Sequence, residues 1–562
     1  MVFNSHIFIF AFLPVALTGY WLLHRMADRA ASFWLLATSI AFYACASIKS
    51  LALVTPSILL DYLLAKALLQ SHDRPGWIRT TLFAFSISTN IALLVVLKYT
   101  NFFLETTNAL LSTHYPITHW ILPLGISFLT FQKIAFFSDI HSGRIASIRF
   151  IDYLQFFYFF PRTIAGPISR YGDVAPQFEA VHPRSFAKDF PIGLFLFSIG
   201  LFKKAVIADS VLPFVSPTFD GNSSVLPVSM LVAWIGALAY TLQVYFDFSG
   251  YSDMALGVAR MFGVRLPANF NSPFKSSSIS EFWSRWHMSL TSFLTEFVYT
   301  PIVVRLTRWR IARRRPVLQG KRSTFPAILM LICLPMLITM LIAGIWHGAG
   351  WQFVVFGLMH GSYLMINQTW RTLRPRFWAS DVSHDSVMRP LGWAMTFGAV
   401  VLSLVVFRAP SIASAWSILN SLVGVNGILP GEVGLLRDMG VNFPWDYLQH
   451  LWQPLLLRPL VPIVWIVLLL LCVLLLPNSL ELLGRYGPAL NFKSTHSAAH
   501  GRTASQASKI SRILTPPPLI STNMAPGSPD GRLRRDAVLA AFLFTFGILA
   551  LSRGQPFIYA QF

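Results

Sequence analysis

The sequence predicts an all-α, polytopic membrane protein with about 11–14 transmembrane or re-entrant helices. Three observations predict it. Apolar runs of about 20 residues, the length that crosses a bilayer core, recur through most of the chain. Only 12% of the residues are charged and 54% are hydrophobic, where soluble domains carry about 25% charged residues. The basic residues fall in short loops between the apolar runs, the pattern of cytoplasmic loops under the positive-inside rule. That placement accounts for a formal net charge of +21, from 44 Lys plus Arg against 23 Asp plus Glu, better than a nucleic-acid partner does. Cys45, Cys333 and Cys472 stand singly inside apolar runs without metal-ligand spacing, and read as packing residues.

The chain opens Met1-Val-Phe-Asn-Ser, with no basic n-region, so the run Ile7–Leu23 reads as a first membrane helix and not a cleaved signal. His24, Arg25 and Arg29 put its C-terminal end in the cytoplasm. Apolar runs follow near 33–48, 51–69 and 80–97, the last closed by Lys98. The run from Ile121 contains Pro123, Gly125, Ser127 and Gln132, which suits a helix lining a polar interior. Pro161, Arg162, Gly166, Pro167 and Arg170 interrupt the next aromatic stretch, predicting a re-entrant or surface segment over a pore. Spans near 190–208 and 226–246 precede a segment carrying Asp247 and Asp253 among aromatic and small residues. Glu281, Arg285 and His287 then fall on a tryptophan-rich helix, Glu281 and Arg285 at i,i+4 spacing.

The most basic loop lies between Arg305 and Arg322 and is assigned to the cytoplasm. The run 325–346 rises from it to His347, and 351–369 returns to Arg371, Arg374 and Arg376. Spans near 391–407 and 460–477 enclose a mixed outer region, 410–459. The domain reading is therefore a membrane-embedded core at 1–484, a linker at 485–535, and a last helix with an outward tail at 536–562. The linker is rich in Ser, Thr, Pro, His and Arg and is predicted to be disordered and cytoplasmic.

His347 is the centre of the functional reading. It lies between Trp346 and Trp351 in an apolar segment, with Gly348 and Gly350 just after it. An ionisable group at membrane depth is costly unless satisfied or used, and a neutral imidazole there can take a proton from a hydroxyl. A core histidine bonded to a backbone carbonyl is the competing reading. His287 is placed at the membrane interface, and His360, 13 residues beyond His347, on another face of a continuous helix as a structural residue. Asp247 and Asp253 have three uses open to them: binding a cation, orienting an imidazole, or pairing with arginine. Arg162 and Arg170 are candidates for holding phosphates, or for interfacial anchoring. No third carboxylate supports a metal, and no Walker A, dinucleotide or Gly-x-Ser-x-Gly motif is present. The residues alone leave a histidine-using membrane enzyme or a transporter.

Several stretches, in order, resemble the membrane-bound O-acyltransferase (MBOAT) family, in its bacterial alginate O-acetyltransferase-like branch. They are the opening Met1-Val-Phe-Asn-Ser, Leu122-Pro-Leu-Gly-Ile-Ser-Phe-Leu-Thr-Phe-Gln, and Phe160-Pro-Arg-Thr-Ile-Ala-Gly-Pro-Ile-Ser-Arg-Tyr. Asp247-Phe-Ser-Gly-Tyr-Ser-Asp-Met-Ala, Phe282-Trp-Ser-Arg-Trp-His-Met-Ser-Leu, Trp346-His-Gly-Ala-Gly-Trp and Phe557-Ile-Tyr-Ala-Gln-Phe complete them. The resemblance implies helices around a central tunnel, with His347 as the essential histidine and His287 as the second. It implies an acetyl group moved from cytoplasmic acetyl-CoA, with no permanently bound cofactor and no metal, across a bacterial inner membrane. A periplasmic or membrane-anchored transferase partner would then pass the acetyl to an exported polysaccharide such as alginate, cellulose or peptidoglycan. Asp247, Asp253, Trp346, Trp351 and Arg162 would line or support the tunnel. D-alanylating relatives are implied to use a partner peptide with a similar aromatic-x-Tyr end, which makes Tyr559 a candidate acyl relay. Interfacial anchoring by Phe557 and Tyr559 is the alternative. Transfer of D-alanyl, or carriage of an acylated substrate without bond chemistry, are the competing functions. The loop charges put His347 near the outer end of its hairpin, so a cytoplasmic donor requires a deep tunnel or an inward-dipping turn.

Overall fold

A computed structural model describes residues 2–118, 122–180, 186–220, 228–318, 323–374, 381–428, 460–490, 492 and 531–551. Among these residues the regular structure is helical, with one isolated bridge pairing Pro267 and Leu490. Eight helices are long and apolar enough to cross a membrane: Phe8–Met26, Asp28–Ala46, Ile48–Gln70, Gly76–Leu111, Phe186–Phe219, Met230–Met261, Phe325–His347 and Met388–Arg408. Trp351–Leu373, Leu460–Leu475 and Gly531–Ala550 add further helices. The all-α polytopic class is thus the one the apolar runs predict.

Met230–Met261 is the axis of the molecule, with 83% of its apolar window buried by protein. The 186–201 part of the Phe186–Phe219 helix packs along it at two reciprocal glycine contacts. A Cβ on Gly193 would stand 2.5 Å from the Gly257 carbonyl, and one on Gly200 2.5 Å from the Gly250 carbonyl. Both glycine pairs are spaced by seven residues. Small residues at that spacing let backbones touch where lipid offers no hydrophobic drive for association. Asp247 and Asp253 belong to this one continuous helix, so the span expected near 226–246 runs on to Met261. Phe3 stacks on Tyr251 of the same helix at 5.1 Å, which anchors the N-terminal segment to the core.

The segment around Arg162, which its prolines mark as irregular, is packed inside the protein. Phe150–Tyr158, the turn Phe160–Thr163 and the strand-like stretch to Ser169 form a hairpin whose residues 160–169 are all buried. Non-helical backbone at membrane depth requires such a cover of protein. The span expected to close at Lys98 instead continues to Leu111, through a π-helical turn at Val95–Tyr99. Similar π turns occur at Phe202–Ala208 and Leu329–Cys333.

The start of the expected linker is packed. Arg260 donates to the Gly487 carbonyl and the Leu490 amide to the Leu266 carbonyl, so the core extends past 484. Residues 493–530 of the linker, 429–459 of the outer region and the tail with Tyr559 lie outside the described residues.

Candidate active site

His347 is the last residue of its helix, and only Gly348, Ala349 and Gly350 separate it from Trp351–Leu373. The two helices cross closely because Gly344 faces Gly357. A Cβ on Gly344 would stand 2.3 Å from the Phe353 carbonyl, and one on Gly357 2.5 Å from the Met340 carbonyl.

A helix end leaves carbonyls unsatisfied and carries partial negative charge. Here the long Gly76–Leu111 helix supplies the partners. The Tyr99 hydroxyl donates to the Ile345 carbonyl at 2.7 Å. The Lys98 ammonium donates to the Trp346 carbonyl at 2.7 Å and to the His347 carbonyl at 3.3 Å. The π turn containing both residues sets their direction. Lys98 is therefore a site residue that the sequence argument missed, because a lysine closing an apolar run reads as a membrane boundary.

The side chain of His347 is buried and ringed by aromatic residues. Its ring centroid lies 5.0 Å from Trp346, 5.3 Å from Phe407 and 5.8 Å from Phe356. Trp346 is fixed in turn: its indole N–H donates to the Ser127 carbonyl at 3.3 Å, and its ring stacks on Phe131 at 5.1 Å. The Ile126–His141 helix bearing Ser127 and Phe131 starts at Gly125, whose φ of +72° is a left-handed value that glycine adopts readily. The Thr163 carbonyl of the buried hairpin fills the space where a Cβ would sit, 2.4 Å away.

His287 also lies against Trp346, with ring centroids 6.1 Å apart. It is fully buried, which corrects the interfacial placement. The Trp-Ser-Arg-Trp-His stretch turns inward because Met288 N–H donates to the Asn269 carbonyl, and Ser289 N–H and hydroxyl both donate to Asn269 Oδ1. His287 itself has φ +44°, a left-handed conformation costing about 1–2 kcal/mol for a residue with a Cβ. Such strain concentrates at functional positions. The His287 ring is enclosed by Phe128, Phe248 and Trp346. The two histidines that the resemblance singles out therefore both lie against one indole.

His360 stays structural for a different reason from the one its spacing suggested, since the helix is broken after His347. Trp283 Nε1–H donates to His360 Nδ1 at 3.2 Å, and Ser403 Oγ lies 2.8 Å from Nε2. The Ser403 hydroxyl is committed to the Val400 carbonyl, so Nε2 carries the proton and both ring nitrogens are used.

The acidic candidates pair with lysines, not arginines. Lys204 Nζ is 2.5 Å from Asp247 and 2.8 Å from Asp209, and Lys203 Nζ is 2.7 Å from Asp253. Both lysines lie on the Phe202–Ala208 π turn. Asp247 and Asp253 thereby lock the Phe186–Phe219 helix to the central one. Glu281 and Arg285 form the expected pair at 2.9 Å. Trp351 does not join the site: it is 53% exposed and rests against Phe102 at 5.5 Å. Arg162 is buried completely, while Arg170 pairs with Asp139 and Glu296 near the surface. A 560 Å³ apolar cavity lined by Leu13, Trp21, Phe186, Phe197 and Phe544 opens elsewhere, between peripheral helices.

A polytopic helical membrane protein with two buried imidazoles against one indole has the makings of an enzyme working within the bilayer. Comparison with known proteins gives the class. Residues 141–312, which include Arg162, Asp247, Asp253 and His287, match the family model of the membrane-bound O-acyltransferase family, MBOAT. The chain is 35% identical to a peptidoglycan O-acetyltransferase of Helicobacter pylori over 456 residues, covering 76% of this chain and 81% of that protein. It is 34% identical to the probable alginate O-acetylase AlgI of Azotobacter vinelandii over 426 residues, covering 74% and 77%. A teichoic acid D-alanyltransferase of Streptococcus thermophilus is 27% identical over 293 residues, covering 50% and 68%. The chain belongs to the membrane-bound O-acyltransferase family and is an O-acyltransferase, which removes the transporter alternative.

Proposed function

We propose that the chain moves acetyl from acetyl-CoA on its cytoplasmic side, across a bacterial inner membrane, for O-acetylation of an exported polysaccharide, with His347 as general base. The observation that carries this reading is the anchoring of His347: a buried imidazole on a helix end whose last carbonyls are held by Tyr99 and Lys98. A base fixed in an aromatic enclosure keeps its geometry without solvent reorganisation. The relatives named as acetylating peptidoglycan and alginate are more similar, and over more of the chain, than the D-alanyltransferase, which favours acetyl over D-alanyl.

In this reading His347 takes the proton of an acceptor hydroxyl, whose oxygen attacks the thioester carbonyl carbon. The C–S bond breaks, and the leaving thiolate recovers the proton from the imidazolium. His287, against the same Trp346, shapes the acceptor side of the chamber. The immediate acceptor is the phenol of Tyr559, and a periplasmic or membrane-anchored transferase then collects the acetyl for the polysaccharide.

Two measurements test this. In proteoliposomes with labelled acetyl-CoA, His347→Ala should cut transfer by about 10²–10⁴-fold, the range of a lost general base, with unchanged yield and melting behaviour. A variant retaining a tenth of the wild-type rate would remove the base role. Mass spectrometry of the C-terminal peptide should find the label on Tyr559, and an unlabelled Tyr559 in active enzyme ends the relay while leaving acyl transfer intact.

A further inference from the structure

The 560 Å³ cavity between Phe8–Met26, the 186–201 segment and the last helix, Gly531–Ala550, has neither His347 nor His287 in its lining. It is long and narrow. On the first helix the lining runs from Ile9 to Arg25, a rise of about 24 Å at 1.5 Å per residue. That is most of the roughly 30 Å hydrocarbon thickness of a bilayer. Thr18 and Arg25 are its polar side chains, and the Trp21 N–H is already bonded to the Met261 carbonyl at 3.0 Å. An apolar space of this kind does not hold water, and left empty it forfeits the dispersion contacts of its whole lining. At membrane depth the material on hand to fill it is a lipid acyl chain.

The charges at one end say which lipid. The Trp21 and Phe186 rings meet at 5.1 Å, so the first helix ends at the level where the 186–201 segment begins. Phe544 lines the cavity beside Phe197, and a Cβ on Gly547 would stand 2.8 Å from Leu201. The last helix therefore runs parallel to 186–201 and starts at the same level. Arg25, Lys188 and Arg535, all exposed, mark that level on the three helices. The carboxylates nearest them in the chain are spent on other groups: Asp28 on His24, Asp189 on Arg260, and Asp536 on the Tyr486 hydroxyl. The groove thus has an apolar body and a basic mouth with Arg25 in its lining. Basic pockets between membrane helices select acidic headgroups, and a guanidinium fork matches phosphate oxygens.

We propose that this groove binds one acidic phospholipid, with an acyl chain along Leu17, Phe197 and Phe544 and the lipid phosphate at Arg25. The site is separate from the His347 chamber and does not depend on the donor or acceptor assigned above. The test is native mass spectrometry of the purified full-length enzyme offered equal amounts of phosphatidylglycerol and phosphatidylcholine. The wild type should retain one phosphatidylglycerol, preferred about tenfold or more over phosphatidylcholine. Arg25→Gln, a change at an exposed position, should cut that preference about fivefold. Leu17→Trp narrows the groove and should remove the bound lipid. A comparison on the unmutated protein guards against a Leu17→Trp chain that fails to fold: short-chain phosphatidylglycerol should compete about tenfold less well than the long-chain lipid. Equal retention of the two headgroups by the wild type overturns the proposal, as does an unchanged preference in Arg25→Gln. Short chains that compete as well as long ones overturn it too, because the groove is then not where the lipid sits. A wild type that carries no lipid also overturns it, and assigns the groove to another part of this chain or to a second copy.

Discussion

Lys98→Met should separate the anchoring of His347 from the fold around it. Methionine keeps the apolar stem and removes the ammonium that holds two carbonyls at the end of the His347 helix. The 2.7 Å bond to the Trp346 carbonyl has the length of a strong charge-assisted hydrogen bond, worth about 1.5–3 kcal/mol. The contact to the His347 carbonyl is longer, 3.3 Å, and adds a few tenths. The loss of a cation at a helix C-terminus adds about 0.5 kcal/mol. The turn carrying His347 therefore loses roughly 2–3.5 kcal/mol of restraint. If about half of that restraint acts on the geometry of proton transfer, kcat falls roughly 5- to 20-fold at about 1.4 kcal/mol per tenfold. The assay is acetyl transfer by enzyme in nanodiscs, with kcat and donor KM measured separately and folded yield checked by size exclusion. Donor KM should stay within about threefold. A Lys98→Met enzyme with kcat within a factor of two of wild type would refute the anchoring argument, and so would a loss that tracks only folded yield.

Lys204→Met should destabilise by about 3–5 kcal/mol, because the ammonium shared by buried Asp209 and Asp247 disappears. Adding Asp209→Asn and Asp247→Asn should recover most of the melting temperature, which a purely steric role for Lys204 would not allow. Gly357→Ala puts a Cβ 2.5 Å from the Met340 carbonyl and should cost about 1–3 kcal/mol. Gly361→Ala on the same helix meets nothing nearer than 3.1 Å and should cost clearly less in the same thermal unfolding assay.

The helical class could be read from the chain because hydropathy is a sum over about 20 residues, and no single position spoils it. Boundaries were harder where a charge lies inside a span. Lys98 ends an apolar run in the sequence, yet in space it is a capping group in mid-helix, and only its partners 248 and 249 residues away say so. His287 was misplaced for the same reason: Trp and Arg beside it suit an interface, while the Asn269 bonds that turn it inward are set by tertiary structure. Asp247 and Asp253 could be recognised as special but not partnered, since Lys203 and Lys204 come from another helix. The burial of Arg162 was half visible in the Pro-Gly pattern around it, which predicted unusual backbone but not its cover.

The π turn at Val95–Tyr99 makes this helix a device that works by counting. A π turn holds one residue more than an α turn, and each residue advances the helix by about 100°. Deleting one residue there would leave the apolar profile almost untouched, yet it would swing one half of the rod relative to the other. Tyr99 and Lys98 would then face away from residues 345–347 while the protein still inserted as before. Among related chains, insertions and deletions should therefore gather in the loops and avoid the stretch between Gly76 and Tyr99, where phase and not hydrophobicity is what must be inherited.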